Sequence, residues 1–342
     1  MVIQSTPGLS PDSATAAPHR AVVCMDGRLK PAVFPEPVRA RIAAAAPLID
    51  LNDLDRSPEL ADATVLFTSW GAPLIDDAVL DRAPNLRAVL HAAGSVKEVV
   101  GKAVFERGLL VSSAAGEMAD PVAVVAYSFI TLAAKRSLTL SQHYREGRVA
   151  PRHDRPEVGF GNKTIGIVGA SRIGQALIRR LVADGRRVAL YDPHCPPALA
   201  AELGVALTDL DSLCAGSDIL SLHAPILPST VHMIDAKRLR LLKDGAAVIN
   251  TARGRLLDTE ALLAECATGR LEAYLDVTDP EPLPPEHGLH HLPNVFLTPH
   301  MAGTEGADLD LMGRFAAEEL HRLVAGRPLR GLVHADRLPR LA

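Results

Sequence analysis

The chain alternates short runs of β-branched and other apolar residues with longer stretches rich in alanine and leucine. The short runs predict β-strands at Ala21–Met25, Thr64–Phe67, Arg87–His91, Leu109–Ser112, Thr164–Val168, Arg187–Tyr191, Asp218–Leu222, Ala246–Asn250, Ala273–Val277 and Val295–Thr298. Continuous apolar strands separated by helical segments indicate parallel sheets that are covered on both faces. Because the strands fall into two series, the pattern predicts an α/β protein with two doubly wound domains.

Two helical stretches lie outside these series. The first, Asp120–Gln142, predicts one long apolar helix, and the irregular segment Tyr144–Asn162 after it predicts a connector. The second, Asp308–Ala325, follows the last strand. A helix there can return to cover the first domain, which would make the second domain an insertion within the first.

Composition narrows the function classes. A length of 342 residues suggests two domains at about 100–200 residues each, and 48% hydrophobic with 22% charged residues is typical of a folded globular chain. The net charge of −4 argues against a nucleic-acid partner, which would need a basic face. Every apolar stretch of about 18 residues carries charge, so we predict no membrane-spanning helix.

Residues 1–20 and the cysteines bear on localisation. The first 20 residues are rich in Ser, Pro, Ala and Thr and lack the apolar core of a secretion signal, so we predict a disordered arm, with a propeptide as the alternative. Cys24, Cys195, Cys214 and Cys266 show no metal-ligand spacing. Reduced, buried thiols in a cytoplasmic protein are the expectation.

A nucleotide-binding turn is predicted within Thr164–Leu181, which reads as a strand, a tight turn and an amphipathic helix. Gly169 and Gly174 occupy the first and third glycine positions of a dinucleotide fingerprint, where glycine permits the turn and close helix–strand packing. Ser171 replaces the middle glycine, and being small it is expected to adjust the phosphate contact rather than abolish it. The predicted pyrophosphate-binding residues are Gly169, Ser171, Arg172, Ile173 and Gly174.

Asp192 ends the next predicted strand, near the spacing at which an acid holds the ribose hydroxyls. Its carboxylate would repel a 2′-phosphate, so NAD(H) is favoured over NADP(H). A turn-forming role before Pro193 is the alternative, and both roles are compatible.

Polar residues follow three later strands. Arg253, Asp276, Glu281 and His300 each lie in a loop after a strand, and such loops share the ligand-binding edge of a doubly wound sheet. We therefore expect these side chains to converge. His287, His290, His291 and His300 lack the spacing of metal ligands, so no metal site is predicted.

These segments resemble the D-isomer-specific 2-hydroxyacid dehydrogenase family, from about Arg87 to Gly303. The motifs that carry the resemblance are Asn250-x-x-Arg253-Gly254 with Asp258, Leu275-Asp276-Val277 followed by Glu281-Pro282, and Thr298-Pro299-His300. The resemblance implies two Rossmann-like domains. An NAD-binding domain at 119–303 would be inserted in a flavodoxin-like substrate domain formed by 21–118 and 304–342.

The resemblance also implies roles for these residues. Arg253 would hold the substrate carboxylate, since its guanidinium stays charged and matches a carboxylate. His300 would be the acid/base, with Glu281 raising its pKa. Asp276 would bind the nicotinamide carboxamide. Further cofactor contacts are expected at Pro225, Thr230, Thr251, Ala252 and Gly303, and a homodimer is expected through the 120–142 region.

The first domain departs from the family pattern. Gly94, Ser95 and Val96 occupy the place of its carboxylate-binding loop and can still offer N–H groups to an anion. Lys97 follows where an acid is usual, and Trp70, the only tryptophan, either walls the substrate pocket or packs between domains. These departures leave the substrate open and permit an unusual acid, phosphonate-bearing or bulky.

The leading hypothesis is a cytoplasmic NAD-dependent enzyme that transfers a hydride between NAD(H) and a 2-hydroxy or 2-keto acid, D-specific by resemblance. Oxidation of phosphite or a phosphonate-type acid is an alternative that shares the Arg253, Glu281 and His300 set. An NADH-sensing, corepressor-like binding protein is the alternative of another class. No nucleic-acid or membrane partner is expected.

Overall fold

The computed structural model describes residues 19–148, 151, 155 and 157–340, so most of the predicted arm lies outside the described residues. The strands are β1 Ala21–Cys24, β2 Leu48–Asp50, β3 Val65–Thr68, β4 Ala88–His91, β5 Leu110–Ser113, β6 Thr164–Val168, β7 Arg187–Tyr191, β8 Ala206–Leu207, β9 Ile219–Leu222, β10 Ala247–Asn250, β11 Glu272–Leu275 and β12 Val295–Leu297. The helices are α1 Lys30–Val33, α2 Glu36–Ala43, α3 Asp77–Arg82, α4 Lys102–Glu106, α5 Ala119–Ala134, α6 Ser137–Arg145, α7 Arg172–Ala183, α8 Pro197–Glu202, α9 Leu210–Gly216, α10 Ala236–Leu241, α11 Thr259–Ala267 and α12 Asp310–Val324. Short 3-10 helices are Pro58–Asp62, Ala114–Gly116, Gly254–Leu256, Gly288–His291, Gly306–Asp308 and Ala335–Arg340.

The described residues form two compact units. The N-terminal unit holds the residues up to Glu117 and those from Glu305 onward, and the central unit holds Met118–Thr304. Arg20, inside the predicted arm, belongs to the fold: its N–H donates to the Thr64 hydroxyl over 2.9 Å.

The N-terminal unit is built on a parallel sheet with strand order β2-β1-β3-β4-β5. This is the flavodoxin-like order, in which β2 lies on one side of β1 and the later strands β3, β4 and β5 are added on the other side. The strands β1, β3 and β4 are buried along their whole length. The strand β2 was not predicted from the sequence, because it is a short edge strand that is mostly exposed and has only two apolar residues, Leu48 and Ile49.

The C-terminal helix α12 completes the N-terminal unit. Gly313 lies so close to α1 that a Cβ there would meet the Val33 carbonyl oxygen at 1.8 Å. Glu319, fully buried, accepts hydrogen bonds from the Ser112 hydroxyl and from the N–H groups of Arg330 and Gly331. These bonds attach the last part of the chain to β5.

The central unit has a parallel sheet of order β12-β11-β10-β9-β6-β7-β8. When the strands of this sheet are numbered in chain order beginning with β6, their order in the sheet is the Rossmann order, extended by β12 as one further strand. Buried side chains form a separate apolar core on each face of the sheet. The predicted fold class, with two Rossmann-like parallel-sheet units, is thereby confirmed; β8, with two exposed residues at the sheet edge, was missed.

The predicted helix Asp120–Gln142 is in fact two helices, α5 and α6. Arg136 between them adopts a left-handed conformation with φ of 55°. Its guanidinium donates to the Gly245 carbonyl over 2.6 Å and lies 3.6 Å from buried Glu272. Tertiary contacts therefore override a continuous helical pattern at this position.

One segment among the described residues, Ala114–Ala134, is long and apolar enough to span a membrane by length and composition, with mean hydropathy 1.3. It includes Glu117 and Asp120, and α5 packs against α7, β9 and β10. A core helix of a globular domain meets the same criteria, so this segment is weak evidence for a membrane span.

Candidate active site

The strand register of the central unit places the candidate residues side by side. Val168, Leu222, Asn250, Leu275 and Leu297 are aligned across β6, β9, β10, β11 and β12. The next residue on each strand therefore lies on the same carboxyl edge of the sheet. These residues are Gly169, His223, Thr251, Asp276 and Thr298.

The turn from β6 into α7 requires both glycines. Gly169 has φ of 100°, and a Cβ there would lie 2.7 Å from the Ala224 nitrogen. A Cβ on Gly174 would meet the Gly169 carbonyl oxygen at 2.2 Å. The start of α7 therefore packs directly against the strand end, as a dinucleotide-binding turn requires.

Ser171 is the N-cap of α7. Its Oγ accepts a hydrogen bond from the Gly174 N–H over 3.2 Å, so the side chain is directed toward its own helix. In the described part of the chain, the N–H groups of Arg172 and Ile173 have no acceptor. The helix start thus keeps free donors for an anion although the middle glycine is missing.

Asp192 is bonded to this same turn. Its carboxylate accepts from the Ala170 N–H over 2.8 Å and from the His194 N–H over 2.8 Å. The acid thus forms the turn before His194, and it also lies beside the predicted phosphate-binding residues. The two roles weighed from the sequence are compatible in this geometry.

The remaining predicted cofactor residues line the loops after β9 and β10. The Thr230 hydroxyl donates to the Pro225 carbonyl over 2.8 Å and closes the loop after β9. Thr251 and Ala252 are buried, and the Thr251 hydroxyl has no hydrogen-bond partner among the described residues. Gly303 lies near the Met118 side chain. Free helix-start donors, tight glycines and an unpartnered buried hydroxyl together fit a dinucleotide.

Arg253 is positioned by its neighbours in the loop after β10. The Asn250 side chain donates to the Arg253 carbonyl over 2.9 Å and accepts from the Ala252 N–H. Gly254 packs against the following loop, where a Cβ would lie 1.9 Å from the Thr278 carbonyl oxygen. The Arg253 guanidinium donates to the Ala252 carbonyl over 2.6 Å. Burial lowers the pKa of Arg253, and the negative charge of Glu281 partly offsets this shift.

Asp276 organises the loop that carries His300. It is 1% exposed, and its carboxylate accepts from the Thr298 hydroxyl over 2.6 Å and from the N–H groups of Met301 and Ala302. The Asp276 carbonyl accepts the His300 N–H over 2.8 Å. This bracing role was missed from the sequence, which suggested only a contact with the nicotinamide.

His300 and Glu281 form a direct pair. The His300 Nδ1 lies 2.6 Å from Glu281 Oε1, and both side chains are partly exposed. His300 has φ of 57°, an uncommon conformation for a residue with a side chain. Because Nδ1 faces the carboxylate, Nε2 is the nitrogen available to a substrate.

The predicted substrate residues of the N-terminal unit lie at the carboxyl ends of β3 and β4. Val96 is fully buried, whereas Gly94 and Ser95 are partly exposed. Trp70 is partly exposed, and its carbonyl accepts the Asp26 N–H over 3.0 Å.

Among the described residues, no three His, Cys, Asp or Glu side chains are grouped as metal ligands. The histidine–carboxylate pair at the edge of the central sheet suits acid/base chemistry beside an organic cofactor. A doubly wound fold with this turn, a guanidinium and a histidine–carboxylate pair defines the class of nicotinamide-dependent dehydrogenases.

Comparison with known proteins identifies the family. The profile of the D-isomer specific 2-hydroxyacid dehydrogenase NAD binding domain matches residues 127–302. A glyoxylate reductase of Korarchaeum cryptofilum is 34% identical over 255 residues, covering 73% of this chain and 77% of that protein. A D-3-phosphoglycerate dehydrogenase of Mycobacterium leprae is 34% identical over 301 residues, covering 88% of this chain.

This chain spans 54% of the length of that phosphoglycerate dehydrogenase. Among solved structures, the TT0316 protein of Thermus thermophilus aligns with a TM-score of 0.71 and 31% identity, covering 92% of this chain and 100% of that one. The chain belongs to the D-isomer specific 2-hydroxyacid dehydrogenase family, whose members are NAD-dependent oxidoreductases. The resemblance inferred from the sequence motifs is thereby confirmed.

Proposed function

We propose that this protein reduces a small 2-keto acid to the D-2-hydroxy acid with NADH, and catalyses the reverse oxidation. The observation that carries the proposal is the His300–Glu281 pair at 2.6 Å, in loops at the same sheet edge as the loop after β10 that holds Arg253. A proton donor, its acidic partner and a cation thus share one edge of the central sheet.

In this proposal Arg253 binds the substrate carboxylate and polarises the keto oxygen, because a guanidinium offers two parallel donors. His300 gives the proton on Nε2 to that oxygen during reduction and removes it during oxidation. Glu281 keeps the imidazole oriented through its contact with Nδ1. When bound, the nicotinamide supplies or accepts the hydride.

The two units would divide this work. The central unit would hold NAD through the turn of Gly169, Ser171, Arg172, Ile173 and Gly174, with Asp192 on the ribose. Pro225, Thr230, Thr251, Ala252, Asp276 and Gly303 would line the rest of the cofactor site. The N-terminal unit would be the substrate domain, with Gly94, Ser95 and Val96 giving backbone N–H groups to the substrate anion and Trp70 bounding its pocket.

The test is oxidation of NADH by the purified protein with glyoxylate, hydroxypyruvate, aromatic and phosphonate-bearing 2-keto acids. We expect turnover with at least one acid. Arg253→Ala should lower kcat/KM by roughly two to four orders of magnitude, because two charged hydrogen bonds are lost. Arg255→Ala is the matched control, since that exposed arginine lies in the same loop.

Absence of turnover across the panel would contradict the proposal. If NADH still bound under those conditions, a sensing role would gain support, and NADH-dependent capture of a partner would be the next measurement. Equal losses in the two arginine variants would contradict the role of Arg253.

We also propose a homodimer that forms through α5 and α6. Val124 and Leu132 are exposed on α5 although apolar, α6 has no buried residue, and Phe296 is exposed on the edge strand β12. Exposed apolar surface of this kind favours a second copy of the chain. Light scattering after size exclusion should show a dimer, and a monomer at all concentrations would contradict this.

A cytoplasmic location is the last part of the proposal. Cys24, Cys195, Cys214 and Cys266 are all free thiols, as expected in a reducing compartment. Localisation of a tagged full-length chain in its native host tests this, and export would contradict it.

A further inference from the structure

The short segment from Thr278 to Pro282, which carries Glu281, has few backbone hydrogen bonds. Glu281 lies between Pro280 and Pro282, which have no N–H to donate, and the second proline restricts the backbone of Glu281 to extended conformations. In the described part of the chain, no backbone N–H of residues 278–282 is bonded to a backbone carbonyl. The segment therefore depends on side chains for its position.

Two threonine hydroxyls supply these contacts. The Thr259 hydroxyl, at the first residue of α11, donates to the Asp279 carbonyl over 2.8 Å. The Thr278 hydroxyl donates to the Pro280 carbonyl, also over 2.8 Å. These carbonyls belong to the two planar peptide groups that precede Glu281. The two bonds therefore fix both peptide planes and, with them, the Cα of Glu281.

The helix start that carries Thr259 is itself held on two sides. Asp258 is the N-cap of α11, and its carboxylate accepts the Ala261 N–H over 3.0 Å. Its backbone N–H donates to the Ile234 carbonyl, which follows β9, over 3.0 Å. The Thr259 hydroxyl is therefore a fixed point from which the segment before Glu281 can be positioned.

The carboxylate of Glu281 needs this support. Among the described residues its one hydrogen-bond partner is His300 Nδ1, at 2.6 Å. Both side chains are partly exposed, so packing alone does not hold them together. The distance between them therefore depends on where the backbone places Glu281.

We propose that Thr259 and Thr278 are positioning residues whose hydroxyls hold the backbone of Glu281 so that its carboxylate stays at hydrogen-bond distance from His300 Nδ1. Neither threonine contacts the substrate; both act through Glu281. The proposal rests on the proposed function for the role of His300 as the acid/base.

The test measures kcat, the KM for the best 2-keto acid of the panel and the KM for NADH in matched variants. Thr259→Val keeps the shape of the side chain but removes the donor, and Thr259→Ser keeps the hydroxyl. Thr268→Val is the control, because the Thr268 hydroxyl donates to the Glu265 carbonyl over the same 2.8 Å at the other end of α11.

We expect Thr259→Val to lower kcat about tenfold, because rate falls steeply when a catalytic group is misplaced, with both KM values changed less than about threefold. Thr259→Ser should keep most of the wild-type kcat, and Thr268→Val all of it. An unchanged kcat in Thr259→Val, or an equal loss in Thr268→Val, would overturn the proposal. If Thr259→Val does not fold, Thr278→Val takes its place in each measurement.

A double-mutant cycle shows whether the threonine acts through Glu281. The carboxylate is absent in Glu281→Ala, so adding Thr259→Val to that variant should change kcat less than about twofold. A general loosening of the site would instead add to the loss caused by Glu281→Ala. A further tenfold loss in the double variant would therefore overturn the proposal.

A second readout does not depend on turnover. The nitrogen NMR signals of the His300 ring report which nitrogen holds the proton of the neutral imidazole, and His300→Gln assigns them by their loss. In the wild type Nδ1 should hold this proton, because it faces the Glu281 carboxylate. Thr259→Val and Thr278→Val should each shift the signals toward the form protonated on Nε2, whereas Thr268→Val should not.

These signals separate the positioning role from the proposed function. Should the wild type reduce no keto acid, the proposed function fails, while the ring signals still decide whether the threonines position Glu281. They decide it equally if Glu281→Ala has no measurable rate. Ring signals that are identical in the wild type, Thr259→Val and Thr278→Val would overturn the positioning role.

Discussion

The backbone of His300 illustrates how single residues are held in this site. Its left-handed conformation costs about 1–3 kcal/mol for a residue with a side chain. Asp276 supplies the compensating contacts, because its carbonyl binds the His300 N–H and its carboxylate binds the N–H groups of Met301 and Ala302. His300, the proposed acid/base residue, is therefore fixed by its backbone as well as by Glu281.

Asp192 leads to a prediction about cofactor choice. Replacing it with serine removes the charge that would repel a 2′-phosphate, so the preference for NADH over NADPH should fall by about tenfold or more. The KM for NADH should also rise, because the bond to the Ala170 N–H is weakened. Initial rates with both cofactors measure this.

Asp209→Ser is the matched control, since Asp209 also follows a strand of the same sheet but caps α9. A cofactor preference unchanged in Asp192→Ser would show that another group selects the cofactor.

The candidate catalytic residues could be predicted from the sequence, because each stands in a short motif at a fixed position after a strand. Arg253, Glu281 and His300 stand in ordered motifs after strands, and the structure brings His300 to Glu281 as the motifs suggest. The bracing role of Asp276 could not be predicted, because its partners Thr298, Met301 and Ala302 follow another strand, 22 to 26 residues further along the chain.

At the scale of elements, the N-cap of α7 and its proposed phosphate-binding N–H groups can be tested independently, because the cap is the Ser171 side chain and the donors belong to the backbone. Ser171→Ala removes the bond to the Gly174 N–H and should lower the free energy of unfolding by about 1 kcal/mol. The Kd for NADH should change less than about threefold, since the N–H groups of Arg172 and Ile173 remain in place. Denaturant unfolding and fluorescence titration measure the two quantities.

Asp209→Ala, which removes the N-cap of α9, should match the loss of stability without touching the turn. A tenfold weaker Kd for NADH in Ser171→Ala alone would instead show that the hydroxyl contacts the phosphate directly.

Element boundaries were predictable where burial is continuous. Interior strands such as β4 and β10 are buried throughout, and the sequence analysis placed them to within a residue or two. The edge strands β2 and β8 are short and mostly exposed, and two apolar residues in each are too few to predict a strand. The break between α5 and α6 depends on the contacts of Arg136 with distant segments, which a local pattern does not contain.

At the scale of the whole molecule, buried histidines make stability depend on pH. Burial lowers the pKa of His91 to about 4 in the N-terminal unit and that of His223 to about 3 in the central unit. An unfolded histidine titrates near pH 6.5. As the pH falls below about 6.5, the unfolded chain binds protons that the folded chain does not, so the free energy of unfolding decreases.

We expect the N-terminal unit to lose about 2 kcal/mol through His91 between pH 7 and pH 5. Trp70, the only tryptophan, lies in this unit, so its fluorescence in denaturant reports the unfolding. His91→Gln should remove this part of the pH dependence, whereas His334→Gln, at an exposed site, should retain it. Identical pH dependence in the two variants would contradict the assignment.

The attachment of α12 to β5 through Glu319 has a consequence for the order in which the protein is made. The central unit is one continuous stretch of chain and can fold as soon as it leaves the ribosome, because domains fold as units during synthesis. The strands β1 to β5 are translated before the central unit, but they lack α12 and the bonds of Glu319 until Gly331 has been added. The N-terminal unit, whose first strands are synthesised before the central unit, therefore completes its fold after the central unit has folded.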